Sequence, residues 1–157
     1  MKLIKNLVLQ RDFFVKKGKI RRMFIPCRNK DVMYTMDLVF SNKDTGKKLD
    51  VSKMKIGDVQ IQGTADLTVL MDGEYIQAVE LHLHEGYYHP LHKHDNNESV
   101  GYVISGEIEM VAGDEKRILK AGDVWRHPKG VYHSTRALKD SYAVEMHSPR
   151  RKEYMMD

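Results

Sequence analysis

The chain has 157 residues, 41% hydrophobic and 31% charged, the balance of an ordinary globular protein closing one hydrophobic core. No apolar run is long enough to cross a bilayer, and the start, MKLIKNLVLQRDFF, lacks the sustained apolar stretch and small-residue cleavage site of a secretory leader. The net charge of +4 gathers in Lys16 to Arg28 and Arg150 to Lys152, where no helix-turn-helix or stacking-aromatic pattern accompanies it, so neither nucleic acid nor membrane is expected as a partner.

Residues 1–55 read as an N-terminal extension that is partly strand. Its one cysteine, Cys27, excludes an internal disulfide and a zinc knuckle and fits a reducing, cytoplasmic setting. Val32, Tyr34, Met36, Leu38 and Phe40 run without Gly or Pro and predict an extended segment, and Asn42 to Gly46 predicts a turn. From residue 56 to 150 short strand-like runs alternate with turn signals: Asp58 to Gln62, Ala65 to Met71, Tyr75 to His84, Ser99 to Ile104, Ile108 to Val111 and Ser141 to His147. That cadence predicts an all-β sandwich or barrel. Pro149 should end the last strand, leaving a charged tail over 151–157.

All eight histidines lie between positions 82 and 147. His92 and His94 are one residue apart, and alternate residues of a strand share a face, so the two imidazoles form a pair of nitrogen donors suited to Ni, Fe, Mn or Zn. An H-x-H pair alone also fits a surface loop. His82 and His84 alternate with Val79, Leu81 and Leu83 and should face outward with Glu80. His89 precedes Pro90, and His127 precedes Pro128 with the parity of Trp125; both read as structural.

Two stretches carry a family resemblance. In the first, Gly86 is followed after five residues by His92, Lys93 and His94, then by Glu98 and Gly106. In the second, Gly122, Pro128, Gly130 and His133 keep the matching separations. Together they resemble the two motifs of the cupins, which implies a jelly-roll β-barrel and a divalent transition metal held by His92, His94 and His133 with a fourth ligand. Counting forward from His94 puts that ligand at Glu98; counting back from Gly106 puts it at Ser99. Strand parity favours Glu98, since Val100, Tyr102 and Ile104 form the larger apolar set and share its face. A site of three histidines alone stays open.

Glu145-Met146-His147-Ser148-Pro149-Arg150-Arg151-Lys152-Glu153-Tyr154 is similar to the C-terminal stretch of pectin-degradation cupins, which linearise unsaturated uronates. That likeness implies catalytic roles for Glu145 and Arg151 and places His147 where the family has an aromatic residue. It implies a small sugar acid as substrate, with Glu145 or His147 moving a proton and Arg151 pairing the substrate carboxylate. An iron-dependent dioxygenase and a non-catalytic small-molecule sensor would use the same histidines. A solvated tail is the plainer reading of Arg150 and Arg151. The residues preceding the first motif exceed what a minimal cupin needs, and an added strand that pairs across subunits would hide a sheet edge, so a homodimer is expected.

Overall fold

A computed structural model describes residues 40–51, 55–56 and 59–155. Cys27, the basic stretch from Lys16 to Arg28 and all of the Val32 to Phe40 segment except Phe40 lie outside them. The turn expected at Asn42 to Gly46 forms: the Asn42 side-chain oxygen accepts from the backbone N–H of Asp44 and Thr45, and the Asn42 carbonyl accepts from Gly46.

Among the described residues the strands make two antiparallel sheets and a short ribbon. The larger sheet runs in the order β1 (Lys47–Leu49), β4 (Ala65–Asp72), β5 (Gln77–Leu83), β12 (Ser141–Ser148), β7 (Glu98–Ser105) and β10 (Val124–His127). The smaller runs β6 (Tyr88–His92), β11 (His133–Ala137), β8 (Glu107–Ala112) and β9 (Glu115–Lys120), while β2 (Lys55–Ile56) pairs only with β3 (Val59–Gln60). Sheet structure therefore begins before residue 56, because β1 pairs with β4. No described helix is long and apolar enough to cross a membrane.

The inner faces of both sheets meet in one core. Val69, Val79, Val103, Ala143 and Trp125 come from the larger sheet and Ile108, Met110 and Ala137 from the smaller. Period-two alternation produces this directly on β5, where Val79 and Leu83 are buried and Glu80 and His82 are only partly so. Gly106, Gly122 and Gly130 have φ of 91°, 94° and 78°, the left-handed region that suits glycine, as expected for sharp reversals.

Strand β7 departs from expectation. Ser99, Gly101 and Val103 are buried, while Val100, Tyr102 and Ile104 are 42%, 47% and 50% exposed. The cause is Trp125, the register partner of Gly101. A Cβ on Gly101 would lie 1.9 Å from the indole ring, so the indole takes the space that a bulky inward residue on β7 would need. The large apolar side chains of β7 are left on the outer face.

Of the segment expected as a charged tail, residues 151–155 are described. Residues Lys152–Tyr154 form a 3-10 turn that buries Tyr154 in the core cluster.

Candidate metal centre and its carboxylate

His92 ends β6 and His133 begins β11, and the two are register partners across the antiparallel pair. His94 lies beyond the strand end, so it does not share a strand face with His92 as the H-x-H spacing suggests. It is carried round by the chain, and its carbonyl accepts from the Gly130 N–H at 2.8 Å, which ties it to the turn before His133. The His92 ring centroid lies 4.8 Å from that of His94 and 4.3 Å from that of His133, and one nitrogen of each of the three rings lies within 4.8 Å of the others.

The tautomers are set locally. His92 Nδ1 donates to the Pro90 carbonyl at 2.8 Å and His133 Nδ1 to the Val131 carbonyl at 2.9 Å, which leaves both Nε2 lone pairs free. Burial, the largest cause, pushes His94 down to about 3 and His133 to about 4, and lowers His92 as well. Three neutral imidazoles with free, convergent nitrogens are the donor set that a first-row divalent metal takes, so the residues fit such an ion.

Glu98 lies apart from this cluster. Its carboxylate faces outward and pairs with Arg126, with Nε and Nη2 each at 3.0 Å. The parity argument that favoured it fails because the large apolar residues sharing its face are the outward ones. Ser99 is the inward residue, and its hydroxyl donates to Glu145 Oε1 at 2.6 Å.

Glu145 projects from β12 on the larger sheet, and its side chain is only 16% exposed. His127 Nδ1 lies 3.4 Å from Oε1 and His147 Nε2 lies 3.5 Å from Oε2. Burial works to raise its pKa, but the contacts with His127 and His147 outweigh this and hold the carboxyl well below the usual range. His127 also stacks on His133, with centroids 3.8 Å apart and planes at 10°. One imidazole thus touches both the carboxylate and a member of the histidine triad.

Residues 79–148 match the cupin domain family, and over 81 residues the chain is 33% identical to the pectin degradation protein KdgF of Dickeya dadantii, covering 51% of this chain and 74% of that protein. The chain belongs to the cupin family. Among solved structures, KdgF from Halomonas sp. is similar to this cupin with a TM-score of 0.63 at 26% identity, over 74% of this chain and 99% of that one. An RmlC-like cupin from Shewanella frigidimarina gives a TM-score of 0.63 at 21% identity, over 74% and 96% of the two chains. The all-β, jelly-roll expectation for this cupin holds.

The C-terminal residues separate in the cupin's structure. Arg151, 16% exposed, lines the same pocket as the triad and lies over the Tyr154 ring at 4.3 Å, with Nη2 2.7 Å from Glu153 Oε1. Arg150 instead reaches Asp72 at 3.4 Å. His147 is buried beside Glu145 and meets Tyr154 edge-on, and its Nδ1 has no hydrogen-bond partner among the described residues. Two histidines that read as structural also line this cavity: His127, as described, and His89, which stacks on His92 at 4.2 Å and is pushed down to about 3, chiefly by burial. Parity with buried Trp125 was the available signal for His127. For His89, the second residue of β6, the sequence offered only its place just ahead of the metal motif.

Proposed function

We propose that this cupin is a metal-dependent isomerase of a small sugar acid, opening a cyclic unsaturated uronate to its linear keto form. The observation that carries the reading is Glu145, a buried carboxylate kept ionised by His127 and His147 and hydrogen-bonded by Ser99, beside three neutral imidazoles. The likeness to proteins named KdgF, one of them a pectin degradation protein, supports this substrate class.

A divalent ion on His92, His94 and His133, whether Ni, Fe, Mn or Zn, supplies Lewis-acid polarisation of a substrate oxygen when bound. Glu145, ionised, accepts the proton of the anomeric hydroxyl. As the anomeric C=O forms, the bond from that carbon to the ring oxygen breaks and its electron pair stays on the ring oxygen as an enolate. The far carbon of the double bond then takes a proton from Glu145 or His147, giving the ketone. Atoms and electrons balance as an isomerisation. Arg151 pairs with the substrate carboxylate in place of Glu153.

Glu145→Gln tests this. Metal content should stay at the wild-type level while turnover, followed by loss of the conjugated double bond's ultraviolet absorbance, falls about 10²- to 10⁴-fold. A variant as fast as wild type would sink the reading. A sensor has no need of a carboxylate held ionised in this way, which favours catalysis over binding alone. O₂ uptake by Fe(II)-loaded protein separates the dioxygenase alternative. The reading includes a cytoplasmic setting and a homodimer.

A further inference from the structure

The outer face of the larger sheet carries a second set of imidazole and carboxylate groups, outside the pocket of Glu145. Asp66 on β4 and His82 on β5 are cross-strand partners, and His84 follows directly after β5. Asp66 Oδ2 lies 3.5 Å from His82 Nδ1 and 3.0 Å from His84 Nε2, and one ligand atom of each residue lies within 4.8 Å of the others.

The rings are also held in place. His84 Nδ1 lies 3.3 Å from Oδ1 of Asp140, the residue before β12, so a carboxylate stands on the far nitrogen of the ring. Such a partner fixes the tautomer and makes the near nitrogen a better donor to an ion. The His82 ring stacks on Tyr142 with centroids 4.1 Å apart and planes at 12°, which sets its plane. His82 and His84 are 23% and 36% exposed, whereas Asp66 is 68% exposed and free to adjust to an incoming ion.

We propose that Asp66, His82 and His84, with Asp140 orienting His84, form a second divalent transition-metal site on the outside of the barrel. Two imidazoles and one carboxylate suit Zn²⁺, Ni²⁺ or Cu²⁺ and discriminate against Mg²⁺ and Ca²⁺, which prefer all-oxygen shells.

The test is equilibrium dialysis of untagged, full-length, metal-stripped protein against Zn²⁺, with no substrate present. Wild type should bind two equivalents. His84→Ala and His92→Ala should each remove one, and His84→Ala with His92→Ala should remove both. Asp140→Asn should weaken the outer equivalent about 10- to 100-fold, with the circular dichroism spectrum unchanged. Zn²⁺ binding that is indifferent to His84→Ala overturns the proposal. Loss of the His92-dependent equivalent alone would count against the inner site and leave the outer one standing.

Discussion

Glu145 and Ser99 form the shortest side-chain contact of the pocket, an O–H donor 2.6 Å from an ionised carboxylate. A hydrogen bond to a charged group contributes about 1.5–3 kcal/mol, and here it favours the charged form. Ser99→Ala should therefore raise the Glu145 pKa and move the acid limb of the pH–rate profile upward, with metal content unchanged. A profile superimposable on wild type would show that Ser99 does not tune the carboxylate. The histidines set a second dependence. His89, His94 and His133 are buried neutral, with values of about 3, 3 and 4, while in the unfolded chain a histidine titrates near 6.5. Between about pH 6.5 and 4 the unfolded chain binds more protons, so the metal-free protein should lose stability as pH falls through that window. Thermal melts of chelator-treated protein check it, and His89→Leu should flatten the slope.

At the level of elements, strand parity is where the sequence misleads. The alternation of β5 is plain from its residues, because Val79, Leu81 and Leu83 share one face and Glu80 and His82 the other. Strand β12 instead turns Glu145 and His147 to the pocket and leaves Val144 and Met146 on its other face. On β7 the larger apolar residues are outside, and the rule that big hydrophobes face inward selects the wrong side. What decides is a neighbour about two dozen residues away in the chain, Trp125, whose indole lies over Gly101. Strands β6 and β9 were hidden for other reasons. The first contains Pro90, and the second, Glu115–Lys120, is a solvated edge strand with almost no buried side chain to create a pattern. The three ligand-type histidines, by contrast, were legible because their spacing to glycine and proline is itself the turn chemistry that brings β6 and β11 together. One variant tests the corrected parity. Glu98→Gln should leave metal stoichiometry untouched and change stability by no more than about 1 kcal/mol, since it removes only an exposed ion pair with Arg126. Loss of metal would restore Glu98 as a ligand.

Across the whole molecule the same parity has a second result. Tyr102 and Ile104 on β7 and Val124 on β10 are 47%, 50% and 66% exposed, and β10 is the edge of the larger sheet. An apolar outer face ending at a strand that is the sheet edge among the described residues suits burial against a second copy, as the proposed homodimer requires. Tyr102→Glu should shift sedimentation from dimer to monomer; a wild-type protein that sediments as a monomer at all concentrations would exclude this assembly.

The indole that displaces side chains from β7 is also the chain's single tryptophan. It is 8% exposed, and its centroid lies 6.2 Å from that of His127, which in turn stacks on His133. The protein therefore carries an intrinsic fluorophore one ring away from its inner histidine triad, and its emission will report events in the barrel without a label. A paramagnetic ion such as Cu²⁺ or Ni²⁺ on the triad should quench it and closed-shell Zn²⁺ should not, whereas an ion on the outer Asp66 cluster should leave the emission unchanged.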